Sequence, residues 1–315
     1  MKKRIVSVPW MGTEYTNKIK EVLEYLDLEV ILPEKSADDL KEAVQNSADM
    51  MCFPYKGVLA NYINVLNRGA NTLLMYDSCG ECRLKHYYKV HEFTLKKMGY
   101  KDFEMYPVTA GNMVPVLRKI SRQSYPKILM AVKKLLIGIK EIDDQKWQLS
   151  KDKINIGIIG EIYTCCDERV NYKIEKKIIN YGASPYNASN LSHFIKESIK
   201  GKFHLEDYIG KRKYKKEANK YLNGKLGGHG KENIYNLLWL KDQGVDGVIH
   251  LLPLSCMPEA TVEPFLNDIC QREKIPLLRL PIDETNSEAN VETRVETFIE
   301  LIKRKKKEKE DKKLK

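Results

Sequence analysis

Short apolar runs alternate with amphipathic helical runs along almost the whole chain of 315 residues. An alternation of this kind predicts βαβ units, in which helices cross over a parallel sheet. We place the strands at Ile5–Val8, Glu29–Leu32, Asp49–Phe53, Thr72–Tyr76 and Asp102–Val108, and then at Ile154–Ile159, Ala183–Asn187, Gly247–Leu252 and Pro276–Leu280. The sequence therefore predicts an α/β fold with a parallel sheet in each half.

Residues 111–150 interrupt this alternation. Two helical patterns, Met113–Ile120 and Ile128–Ile142, follow each other there with no strand between them. We therefore divide the chain into an N-terminal α/β domain over residues 1–110, a helical connection over 111–150, a C-terminal α/β domain over 151–302 and a basic tail over 303–315.

Composition limits the compartment and the partners. No apolar run reaches the roughly 18 residues of a membrane span, and the first apolar run is too short for a signal peptide. We expect a cytoplasmic protein whose seven cysteines are reduced. The tail and Lys196–Lys231 together carry more positive charge than the whole chain's net +11, so the remainder is slightly negative. This uneven distribution argues against a nucleic-acid partner. Lys196–Lys231 is either a solvated helical surface or an attractor for an anionic substrate or an acidic partner.

Six cysteines lie at or just after the carboxyl end of a predicted strand: Cys52, Cys79, Cys82, Cys165, Cys166 and Cys256. Open α/β sheets bind their ligands at this edge. Cys270 instead lies in an apolar helical pattern, which is typical of a buried core thiol. On residue types alone, three interpretations stay open. The thiols hold an iron–sulfur cluster, they form a zinc or redox-dithiol site around the C-x-x-C pair, or they are structural.

Charged residues near these cysteines are candidates for binding an anionic substrate. Lys56 and Arg83 neighbour two of the cysteines, while His229 and Lys231 lie in a Gly-rich turn before a helix, where backbone amides favour an anion. Glu259 follows the last strand-end cysteine and is suited either to acid–base work or to a helix N-terminus. No G-x-G-x-x-G follows the first strand of either half, which argues against a nicotinamide cofactor.

Six short segments occur in an order that resembles one protein family. They are Cys52-Phe-Pro-Tyr-Lys56, Gly80-Glu-Cys82-Arg83, Gly160-Glu-Ile-Tyr163, Gly228-His-Gly-Lys-Glu232, Cys256-Met-Pro-Glu259, and Asp283-Glu284 with Thr293-Arg294-Val-Glu296. Over residues 4–300 the chain resembles the acyl-CoA dehydratase activase-related proteins. These are relatives of the D-component of 2-hydroxyacyl-CoA dehydratases, of benzoyl-CoA reductase and of double-cubane-cluster proteins.

The resemblance implies two Rossmann-like domains that face each other across a cleft, with an iron–sulfur cluster between them. It implies ligation by Cys52, Cys82 and Cys256, with Cys79 as the first addition. It also implies an anaerobe's cytoplasmic protein that receives electrons from a separate ATP-dependent activator and acts on an acyl-CoA. Cys165 and Cys166 depart from the family pattern, so the cluster is either [4Fe–4S] or a larger double cubane.

Three functional hypotheses follow. The first is an iron–sulfur protein that uses low-potential electrons from the activator in a reductive reaction on an acyl-CoA. The second is a non-catalytic electron-transfer or cluster-scaffold subunit. The third is a zinc or dithiol redox protein. The sequence leaves open whether the chain is itself an enzyme and whether it acts as a homodimer or a heterodimer.

Overall fold

The computed structural model describes residues 3–77, 82–192, 195, 212–224, 226, 228 and 230–313. The chain divides into two compact units after Asp144, and it divides again after Asn190, where Leu191 belongs to the first unit. Each unit contains a four-stranded sheet whose strands are all parallel. The predicted α/β class, with a parallel sheet in each half, is confirmed.

The first unit builds its sheet from four short strands, with helices between them. The strands are β1 (Ile5–Ser7), β2 (Glu29–Val30), β3 (Thr72–Tyr76) and β4 (Glu104–Val108). The helices are α1 (Thr13–Tyr25), α2 (Ala37–Gln45), α3 (Phe53–Asn67), α4 (Leu84–Lys97), α5 (Met113–Ser121) and α6 (Tyr125–Lys146). The strand order is β2-β1-β3-β4, and residues of α1, α5 and α6 pack with Val6 and Leu74 in one apolar core.

The second unit has the same topology. Its strands are β5 (Ile154–Gly160), β6 (Ala183–Asn187), β7 (Gly247–Pro253) and β8 (Leu277–Ile282), in the order β6-β5-β7-β8. Its helices are α7 (Ile162–Cys166), α8 (Ile174–Asn180), α9 (Arg212–Tyr221), α10 (Gly230–Asp242), α11 (Met257–Arg272) and α12 (Glu288–Lys313). In both units the first and third strands along the chain lie in the centre of the sheet. Helices precede and follow the third strand in each unit.

The predicted strand Asp49–Phe53 is wrong. Residues 49–51 form a turn, and α3 begins at Phe53 with Cys52 as its N-cap and Pro54 in its first turn. Proline suits the first turn of a helix, because its fixed φ is helical and its missing N–H has no partner there in any case. Cys52 therefore lies at the start of a helix and not at the end of a strand.

The helix after β7 starts at Met257, with Cys256 as its N-cap and Pro258 in its first turn. The two helices predicted within residues 111–150 are confirmed as α5 and α6. The basic residues after Lys303 continue α12 to Lys313, and Lys306 Nζ lies 3.2 Å from Asp246 Oδ1. In the part of the chain that is described, no helix combines the length and the apolar composition that a membrane span requires.

Gly160→Ala should destabilise the second unit strongly. Gly160 has φ 147°, and a Cβ there would lie 2.3 Å from the backbone oxygen of Leu251 on the paired strand β7. Glycine-only backbone costs another residue about 1–3 kcal/mol, and the clash adds to this, so we expect a loss of about 3 kcal/mol or more in urea unfolding. Gly244→Ala is the control, because its φ is 74° and nothing lies within 4 Å. Equal losses in the two variants would contradict the clash.

Candidate functional site

In the first unit, two candidate cysteines lie at the starts of the helices that flank β3. Cys52 is the N-cap of α3, and Cys82 lies just before α4. The guanidinium of Arg83, the N-cap of α4, donates from Nη1 to the backbone oxygen of Met50 at 3.1 Å. This contact ties the segment before α3 to the start of α4. The positive end of a helix dipole favours a negative group at its N-terminus, which suits a thiolate at Cys52.

Tyr87 joins Cys52 to α4. Its hydroxyl lies 2.8 Å from Cys52 Sγ, and both side chains are buried. Burial is the main reason that the pKa of Tyr87 lies far above its usual range, with a further rise from Cys52 and a smaller one from Cys82, while Arg83 lowers it. The contact of Arg83 with Met50 and that of Tyr87 with Cys52 bring the segments that carry Cys52 and Cys82 to one corner of the first unit.

A buried aromatic cluster packs against Tyr87. Tyr55 stacks on His91 with ring centroids 4.2 Å apart, and it meets Tyr87 edge-on at 5.0 Å. The Tyr55 hydroxyl is hydrogen-bonded to Thr94 Oγ1 at 2.9 Å, and His91 Nε2 lies 3.0 Å from the backbone oxygen of Tyr55. Burial lowers the pKa of His91 to about 4, so this ring is neutral near pH 7. Tyr62 also contacts His91, edge-on at 5.4 Å. Together these contacts fix α3 against α4.

In the second unit, Cys256 is the N-cap of α11, shortly after β7 ends, and Glu259 in the first turn of the same helix belongs to a buried polar network. Asn233 Nδ2 donates to both carboxylate oxygens of Glu259 at 2.9 Å, and His250 Nε2 lies 2.7 Å from Glu259 Oε2. Asn233 Oδ1 in turn accepts from the backbone N–H of Gly160 and from Ser189 Oγ, both at 3.0 Å. The side chain of Glu259 is only 1% exposed, and both its oxygens are engaged within this network.

Glu161 caps the short helix α7, which carries Cys165 and Cys166. Its carboxylate accepts from the backbone N–H groups of Tyr163 and Thr164, at 3.0 and 2.9 Å. Burial raises the pKa of Glu161 to about 7, with a smaller rise from Glu259, although the hydrogen bonds oppose it.

Buried cysteines that stay protonated form a separate group. Burial raises the pKa of Cys165 well above its usual range, and nearby Cys166, Glu161 and Glu259 raise it further. Burial also raises the pKa of Cys270 to about 12. The prediction of a core thiol at Cys270 is confirmed by its burial on α11.

The remaining candidate residues from the sequence analysis lie on different elements of the fold. Lys56 is buried on α3, Arg83 is exposed, and Lys231 Nζ donates to the backbone oxygen of Gly224 at 2.8 Å. Cys79 and His229 lie outside the described residues. Among the residues that are described, no three or more His, Cys, Asp or Glu side chains are grouped so that they could hold a metal ion.

Four buried residues escaped the sequence analysis: Tyr87, His91, Asn233 and His250. The first two lie four residues apart on α4 and share a face with Leu95, a spacing that indicates a buried face but not a contact with a thiol. His250 is a polar residue within an apolar run, and that is the signal that could have found it, whereas Asn233 follows Lys231 and Glu232 and carries no such signal. A buried polar side chain needs a partner, but the sequence does not show which one.

Comparison with models of protein families gives a match over residues 107–302, more than half of the chain, to 2-hydroxyglutaryl-CoA dehydratase, D-component. The matched range includes Glu161, His250 and Cys256, and it begins after Cys52 and Cys82. No curated protein matches the chain.

Glu161→Gln should remove a pH dependence from the stability of the second unit. The pKa of Glu161 rises from 4.5 to about 7 on folding, so between these values the unfolded chain ionises first and wild-type stability falls as pH increases. Glutamine keeps an oxygen for the cap and has no proton to lose. In thermal melts from about pH 4.5 to about pH 7.5, the variant should therefore gain stability relative to wild type as pH rises. Glu263→Gln, at an ion pair with Arg279, is the control. Parallel curves for wild type and Glu161→Gln would contradict the prediction.

Proposed function

Since the chain belongs to the family of the 2-hydroxyglutaryl-CoA dehydratase D-component, we propose that it is an iron–sulfur protein that receives low-potential electrons from an ATP-dependent activator. The observation that carries this proposal is the contact of Cys52 with the buried Tyr87 hydroxyl, together with the Arg83–Met50 contact that ties the start of α4, beside Cys82, to the segment before α3. Iron–sulfur clusters are held by cysteine thiolates, and neither of these thiols is in a disulfide.

The proposed ligands are Cys52, Cys82 and Cys256, with Cys79 as the first candidate for a fourth. Cys52 and Cys256 are each the N-cap of a helix of 15 or more residues, and a helix N-terminus stabilises the negative sulfur that a metal requires. When bound, the cluster supplies one-electron transfer.

Cys165 ranks below the proposed ligands. Burial and the neighbouring Cys166, Glu161 and Glu259 raise its pKa well above the usual range, which opposes the thiolate form that a ligand needs.

An acyl-CoA is the proposed electron acceptor. Family membership supports this choice, and so does the charge beside the candidate ligands. Arg83, Lys85 and Lys89 are exposed at the start of α4, and a basic surface attracts the phosphates of coenzyme A. The protein residues would then position a thioester near the corner of Cys52 and Cys82 and hold its anionic part.

Protein purified without oxygen should contain about four iron and four sulfide per chain. Cys52→Ser, Cys82→Ser and Cys256→Ser should each lose most of this iron, because serine is a poor substitute for a thiolate ligand. Cys270→Ser is the matched control, since Cys270 is a buried thiol of the core and its loss should leave the iron content unchanged.

The reduced protein should then give an electron paramagnetic resonance signal that changes when an acyl-CoA is added. Zinc without iron in the wild type would contradict the proposal and favour a zinc or dithiol protein. A cluster whose signal no acyl-CoA alters would contradict the assigned acceptor and favour an electron-transfer subunit.

A further inference from the structure

The hydroxyl of Tyr87 is buried and directed at a candidate ligand. Its oxygen lies 2.8 Å from Cys52 Sγ, and the side chain is 2% exposed. A buried hydroxyl without a partner costs free energy, so phenylalanine would be the better residue here if packing alone mattered. The position of this hydroxyl suggests that the sulfur needs a donor.

The direction of the hydrogen bond follows from the chemistry of ligation. In the free protein either group can donate, because both the thiol and the phenol carry a proton. A cysteine that binds iron is a thiolate and has no proton. Tyr87 must then be the donor, and the hydrogen bond becomes charge-assisted, which makes it shorter and stronger.

The aromatic cluster holds this donor in place. Tyr87 meets Tyr55 edge-on at 5.0 Å, and its ring lies 6.0 Å from that of His91, one helical turn further along α4. Tyr55 and His91 are themselves fixed by the hydrogen bonds of Tyr55 to Thr94 and of His91 to the Tyr55 backbone. Little rotation of the Tyr87 ring is therefore available, and its hydroxyl stays at the sulfur.

From this geometry we propose that Tyr87 is a positioning residue for the cluster. It orients Cys52 for ligation and, by donating a hydrogen bond to the thiolate, raises the reduction potential of the cluster. The inference rests on the proposed iron–sulfur function. Hydrogen bonds to the sulfurs are among the factors that set the potential of a cluster. They stabilise the reduced state more, because the reduced cluster carries more negative charge on its sulfurs.

The test compares Tyr87→Phe with Tyr55→Phe in the full chain, purified without oxygen. The two tyrosines are equally buried in one aromatic cluster, and each variant removes one hydroxyl, but the Tyr55 hydroxyl bonds Thr94 and not the thiol. We expect Tyr87→Phe to lower the equilibrium constant for reduction by on the order of tenfold, which makes the midpoint potential more negative by about 59 mV for one electron. Tyr55→Phe should keep the wild-type potential.

Each other outcome is decisive. An unchanged potential in Tyr87→Phe, at full iron content, overturns the inference and leaves the iron–sulfur function intact. Loss of iron from Tyr87→Phe alone, with native circular dichroism, supports the positioning role. Loss from both variants indicates general damage to the aromatic cluster and overturns the inference. Wild-type protein without iron and sulfide overturns the proposed function and this inference together.

Discussion

In each unit, a buried polar contact joins the two helices that flank the third strand of the sheet. Cys52 on α3 meets Tyr87 on α4, and Asn233 on α10 binds Glu259 on α11. Because an unpaired polar group in the interior costs about 1–3 kcal/mol, a shift of one helix without its partner would lose this contact at a cost in free energy. The helix starts carry Cys52, Cys82 and Cys256, so the positions of all three thiols depend on these contacts.

The shared topology of the units explains where these thiols occur. Cys82 and Cys256 both follow the third strand of their unit and precede the next helix. The helix before that strand begins beside Cys52 in the first unit and at Gly230 in the second. A Cβ at Gly230 would lie 2.7 Å from the backbone oxygen of Pro258. The start of the helix before the third strand thus carries a thiol in the first unit and a glycine that permits close helix packing in the second.

Sequence periodicity predicted the two parallel sheets well, because buried parallel strands leave apolar runs that turns interrupt. It failed at Asp49–Phe53, where an apolar run hid a helix start marked by Pro54. Periodicity could not predict the contacts that organise the candidate site. Gly160 and Asn233 lie 73 residues apart, and only the folded chain shows that they meet. The ligand assignment came from the resemblance to a family, since spacing alone left zinc, dithiol and cluster chemistry open.

Burial alone does not decide which cysteine can bind a metal. Cys52 and Cys165 are both buried, but Cys52 has the Tyr87 hydroxyl and a helix N-terminus beside it, whereas carboxylates lie near Cys165. The first environment stabilises a negative sulfur and the second opposes it. A thiolate at Cys165 would add charge next to Glu161 and Glu259, so among the seven cysteines the local electrostatics favours a negative sulfur at Cys52 and opposes one at Cys165.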